Sequence, residues 1–172
     1  MALPAFPGGV ELVDFEFGQT DGNEGNPTAV VCMVSHNLDT GVTQRFWIDE
    51  LSQMASAPFA TDRSALVVAY NAVAEMSCFV ALGWSFPENI FDAYVEFRNI
   101  TNGLPLPAGN GLLGALAYFG EPCMDAAQKD AMRDLVLRGA PWSSAEKLAI
   151  LDYCAADVIA LKRLYVRLME IA

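Results

Sequence analysis

Val10-Glu11-Leu12-Val13-Asp14-Phe15-Glu16-Phe17 alternates apolar and acidic residues, imperfectly but at the period of a β-strand. Positions two apart on a strand leave the same face, so Asp14 and Glu16 project together while Phe15 and Phe17 point to the other side. Residues 18–27 hold three glycines, two asparagines and a proline and read as a loop. Residues 28–35 are an apolar, β-branched run, Asn37-Leu38-Asp39-Thr40-Gly41 is a turn, and residues 42–48 form another strand. Three strands with short connections predict an antiparallel meander. Residues 65–70, Ala-Leu-Val-Val-Ala-Tyr, predict a central strand buried on both faces.

After residue 70 the period changes from 2 to about 3.6. Asn71 caps a helix running to about Leu82, with Gly83 as its stop. Residues 87–92 read as a brief strand, 93–98 as helix, 101–111 as loop, and 112–119 as a helix ending at Gly120. Asp125-x-x-Gln128 and Ser143-x-x-Glu146 are capping boxes. The second opens a long amphipathic helix whose predicted buried stripe is Leu148, Leu151, Cys154, Ala155, Val158, Leu161, Tyr165 and Leu168. That helix reaches Ala172 without a Gly or Pro stop, so a longer parent chain is expected. A meander followed by strands alternating with helices predicts an α/β domain, a mixed five-stranded sheet with helices on both faces.

Composition narrows the function classes. The chain has 172 residues, enough for one domain, with 53% hydrophobic and 18% charged residues. Ten Lys and Arg oppose 21 Asp and Glu, for a net charge of -11, which excludes a binder held mainly by a basic surface. Seven of the ten basic residues follow residue 120, making the last third the expected place for backbone contacts with a polyanion. Four dispersed cysteines, no C-x-x-C and the single His36 argue against a structural zinc site. No signal-like leader and no apolar run of membrane-spanning length is present, so no membrane role and a cytoplasmic setting are expected.

Three stretches, holding four carboxylates between them, are candidates for chemistry. Asp14 and Glu16 side by side repel each other unless they are solvated or share a divalent cation, and Mg²⁺ and Mn²⁺ favour such oxygen ligands. Glu75 falls in the first turn of the helix after the central strand, where it supports the helix dipole or joins a site at the strand's end. Tyr153 and Asp157, four apart, share a helix face at the polar margin of the apolar stripe; alone they read as a boundary tyrosine with a surface aspartate.

Taken in order, the strand D-x-E, the strand-end Asn71-x-x-x-Glu75 and the late Tyr153-x-x-x-Asp157 resemble the DnaQ-like, or DEDD, 3′–5′ exonucleases in their tyrosine-bearing subclass. The likeness covers about residues 10–170 and is nearest to the N-terminal exonuclease region of phage- or plasmid-type family A DNA polymerases. It is carried also by residues 91–98 and by the Gly109–Gly120 run. The resemblance implies a ribonuclease H-like fold and two divalent ions, Mg²⁺ or Mn²⁺, held by Asp14, Glu16, Glu75 and Asp157, with Tyr153 orienting the attacking water. It implies that Phe17, Gly18 and Asn71 contact the substrate, Asn71 having a helix-cap role as its alternative. Asp92 follows the family pattern as a secondary aspartate. The family's aspartate stands as Glu75 here, one methylene longer, which puts full activity in question. The histidine-bearing subclass needs a histidine where this chain has Asp152, and His36 reads as structural or surface. The implied function is release of nucleoside monophosphates from single-stranded DNA 3′ ends by one domain, 1–172, attached to a polymerase. The alternatives are a stand-alone RNA-trimming exoribonuclease and a catalytically weakened structural domain of a polymerase.

Overall fold

In chain order the elements are β1 (Gly9–Gln19), β2 (Thr28–Asn37), β3 (Thr43–Trp47), α1 (Ile48–Leu51), β4 (Ala65–Ala69), α2 (Ala72–Leu82), β5 (Ile90–Asp92), α3 (Ala93–Ile100), α4 (Leu112–Tyr118), α5 (Ala126–Arg138) and α6 (Ser144–Ile171). The structure is a computed structural model and describes residues 6–19, 28–122 and 126–171. The five strands form one mixed sheet in the order β3-β2-β1-β4-β5. β1, β2 and β3 make the antiparallel meander, and β4 and β5 add on parallel to β1.

Strand parity sorts the core into two layers. Leu12, Cys32, Val34, Leu66 and Val68 meet Phe97 of α3, Leu116 of α4 and Ile150, Val158, Leu161 and Leu164 of α6. On the opposite face Val13, Phe15, Met33, Val67 and Ala69 pack against Cys78 and Phe79 of α2, Leu51 of α1 and Trp84. The sheet is therefore covered on both sides, as the alternation predicts.

Several boundaries differ from expectation. β1 continues through Gly18, which pairs with Ala29, instead of ending there. The ladder absorbs an extra residue between Glu16 and Phe17: Glu16 faces Cys32 but Phe17 faces Val30, leaving Val31 bulged. Val31 and Cys32 accordingly fall in the same layer. Ile48 opens the short helix α1 rather than closing β3. In α6 the apolar stripe is rotated at its start: Leu148 is 57% exposed and Ile150 fully buried. Asp125 of the first capping box lies outside the described residues. The Ser143–Glu146 box is formed, with Ser143 N–H donating to Glu146 at 2.7 Å and Glu146 N–H to Ser143 Oγ at 3.2 Å.

The pairing of β1 with β4 ends at Leu12 opposite Val68. Beyond it β4 turns into α2, and the outer half of β1, with Asp14 and Glu16, runs on without that neighbour. This notch at the carboxyl end of the parallel strands is where open α/β sheets place their sites.

Candidate metal centre

Asp14 and Glu16 leave β1 on the face covered by α6. Opposite them Tyr153 and Asp157 occupy successive turns of one α6 face, each 7% exposed. They are thus buried in the layer and not at its polar margin, because α6 crosses the sheet over this pair. Glu75, in the first turn of α2, is 3% exposed and accepts the Phe15 backbone N–H. Its other oxygen, Oε2, is buried without a hydrogen-bond partner. All five side chains line one cleft of about 1190 Å³. Phe17 and Gly18 of β1 continue that lining, and Arg133, Leu137 and Arg138 of α5 contribute to it as well. A Cβ placed on Gly18 meets no atom within 4 Å, so its backbone stands open to the cleft.

The electrostatics follow from this crowding. Burial first, and Asp157 next, push the Asp14 carboxyl well above the usual range. Burial and then Asp14 do the same to Glu16, and burial with the charges of Asp14 and Glu16 raises Glu75. Burial also raises the Tyr153 phenol, reinforced by Asp157, Glu16 and Asp14, and its hydroxyl bonds to Asp157. Tyr153 therefore stays protonated in the neutral range and orients rather than abstracts protons. The nearest compensating charge is Lys129 of α5, whose ammonium lies 2.6 Å from Asp157 Oδ2 and 5.5 Å from the centre of the Tyr153 ring.

Four carboxylates against one ammonium, with one buried oxygen unpartnered, form a donor set suited to hard divalent cations. Asp14, Glu16, Glu75 and Asp157 would hold such ions. With its extra methylene, Glu75 lines the same cleft as Asp14, Glu16 and Asp157.

The remaining sequence candidates separate. Asn71 is exposed, lies outside the cleft lining, and adopts a left-handed backbone with φ 66°. Its side chain makes no cap bond. The cap comes instead from Asp92 at the end of β5, which accepts from Asn71 N–H at 3.1 Å and Ala72 N–H at 2.9 Å. Asp92 also accepts from Tyr94 N–H at 3.0 Å and Val95 N–H at 3.3 Å, capping α3 as well. Asp152 pairs with Arg45 of β3 at 2.6 Å. His36 is buried and structural: Lys162 Nζ, which can only donate, lies 3.0 Å from Nε2, so Nδ1–H donates to Thr43 Oγ1 at 2.8 Å.

Sequence reasoning misses two neighbours of the centre. Lys129 carries no sequence signal beyond membership of a basic last third, since its approach to Asp157 depends on where α5 packs. Cys154 belongs to the predicted apolar stripe and sits there, but its thiol also reaches Asp14 Oδ2 and the Asp14 carbonyl oxygen, each at 3.3 Å. Adjacency to Tyr153 was the available clue.

No family model matches the chain, and no curated protein matches it by sequence. Among solved structures it is similar to RNase D of Trypanosoma brucei, with a TM-score of 0.57 and 19% identity over 90% of this chain. The chain spans about half of that protein, 55% of its length. At this identity the likeness establishes the fold, a mixed α/β sheet of the ribonuclease H-like kind. No helix among the described residues is long and apolar enough to cross a membrane.

Proposed function

We propose that this domain is a divalent-metal-dependent 3′–5′ exonuclease of the DnaQ-like, tyrosine-bearing type, hydrolysing single-stranded DNA ends to nucleoside monophosphates. The observation that carries the reading is the convergence of Asp14, Glu16, Glu75 and Asp157 with a protonated Tyr153 in the lining of one cleft. Bound divalent ions would lower the pKa of a water and offset charge on the scissile phosphate. The chain's own part is positional. Tyr153 holds a water through its hydroxyl, in a site shielded by α6. Phe17 offers an aromatic face to the terminal base, and the open Gly18 backbone admits the sugar close to β1. Lys129 adds a cation beside Asp157 and Tyr153.

Attachment to a polymerase accounts for the acidic surface: the partner would supply the grip on nucleic acid that a net charge of -11 withholds. A second reading, RNA trimming, is favoured by the likeness to an RNase D. The test is degradation of 5′-labelled single strands of DNA and of RNA with Mn²⁺. Stepwise shortening on DNA that Asp14→Ala abolishes is expected. Shortening of RNA alone would move the assignment to the second reading. Loss of Mn²⁺-dependent hydrolysis on both would leave a structural domain.

A further inference from the structure

We infer that Cys154 gives the centre a second metal mode, in which a thiophilic divalent cation such as Zn²⁺ or Cd²⁺ is held jointly by Asp14, Glu16 and Cys154 and shuts the nuclease off. The inference rests on the carboxylate centre proposed above and adds a sulfur ligand to it.

One ligand atom from each of these residues can be chosen so that all lie within 4.8 Å of one another. Ligands on one zinc ion sit about 2.0–2.3 Å from it, so that span closes onto a single ion with a small inward shift. Cys154 is fully buried, and its thiol faces Asp14 rather than solvent. The unpartnered Glu75 Oε2, on a side chain 3% exposed, lines the same cleft and lies within reach of the charges of Asp14 and Glu16. Hard ions such as Mg²⁺ and Mn²⁺ prefer the oxygens, whereas softer ions gain from the sulfur. On binding, the Cys154 S–H bond breaks, the proton leaves to solvent and a sulfur–metal bond forms; no electron is transferred. Asp14 and Glu16 are then committed to the soft ion, so it competes with the hard ions that hydrolysis needs.

The probe is Cd²⁺ titrated into the whole chain without nucleic acid, read by the near-ultraviolet sulfur-to-metal charge-transfer band. One equivalent should produce the band, and excess Mn²⁺ should displace it. Cys154→Ser should remove the band while keeping the Mn²⁺-dependent rise in melting temperature, which shows the variant folded. It should also weaken Zn²⁺ inhibition of hydrolysis by about tenfold or more, the scale of losing one contributor to a metal site. A band that survives Cys154→Ser, or that vanishes instead with Cys32→Ser or Cys123→Ser, overturns the assignment. So does zinc inhibition unchanged by Cys154→Ser. A Cys154-dependent band in a protein inert on every nucleic acid would uphold the site and defeat the nuclease reading; hydrolysis without the band would do the reverse.

Discussion

Glu75 concentrates the tension of the centre in one side chain. One carboxylate oxygen takes the Phe15 N–H; the other has no partner in a pocket shared with Asp14 and Glu16. Glu75→Gln preserves length and the acceptor for Phe15, and replaces the orphaned oxygen with a donor toward the neighbouring carboxylates. The metal-free variant should be at least as stable as the parent and gain about 1 kcal/mol, the worth of one satisfied buried hydrogen bond, only at a pH high enough to ionise Glu75. Its melting temperature should rise less with Mn²⁺, and hydrolysis should slow on the order of 10²-fold, the scale of a misplaced reacting group. Paired thermal melts and single-turnover assays check both arms; an undiminished Mn²⁺ effect would remove Glu75 from the ligand set. Asp14 and Glu16 were legible in the sequence because strand parity alone puts them on one face. The burial of Glu75 is not, since a first-turn glutamate is ordinarily solvated and it is the packing of α2 against β1, with the Phe15 N–H on its carboxylate, that takes it out of water.

At the scale of elements, Asp92 joins what periodicity treats separately. It closes β5 and satisfies the first free amides of α2 and of α3, four N–H groups on one carboxylate. Asp92→Ala should cost about 2 kcal/mol, two lost caps at roughly 1 kcal/mol each. Urea unfolding should show a lower midpoint with an unchanged slope. Asp92→Asn, which keeps an acceptor for three of the four donors, should recover most of the loss; no loss in the alanine variant would mean the amides find water instead. Because α2 carries Glu75, Asp92 also positions the centre from outside it. The strands and the long helices were readable from alternation and capping boxes, which are local. The source of α2's cap was not, because Asn71 is an equally good capping residue by type and the choice of Asp92 depends on β5 lying next to β4. Lys129 and Cys154 went unread for the same reason: their significance comes from the packing of α5 and α6 over β1.

Across the whole molecule, the layer of α6 on the meander is tied by His36, where β2, β3 and α6 meet. Burial, and then the Lys162 charge, lower its pKa below 6.5. Above about pH 6.5 the imidazole is neutral folded or unfolded and contributes no pH dependence. As pH falls below that value the unfolded chain takes up a proton that the folded one resists, so stability declines until the lower folded-state pKa is passed. His36→Gln should lose less stability than the parent between about pH 8 and pH 5.5. The single-histidine NMR titration should give a midpoint below 6.5 that rises in Lys162→Met. A midpoint at or above 6.5 would contradict the Lys162–His36 contact.

Charge at this scale also sets how the molecule meets a polyanion. Arg45, Arg63, Lys129, Arg138, Lys147 and Arg167 are each engaged by carboxylates. Lys162 lies on His36 and Arg163 on the Pro122 carbonyl oxygen. Of the cations without a carboxylate partner among the described residues, Arg133 is the one lining the carboxylate cleft. The basic last third is thus largely spent on internal pairs, and substrate contact by this chain reduces to very few phosphates. Each phosphate neutralised on a single strand contributes about 0.7 to the log–log salt slope, so the KM for an oligonucleotide should change with a slope near 1 in magnitude at fixed Mn²⁺. Arg133→Ala should raise KM with little change in kcat and lower that slope by about 0.7. A steep slope, or one that Arg133→Ala leaves intact, would show that the grip lies elsewhere on the surface and that the acidic chain needs no partner to hold its substrate.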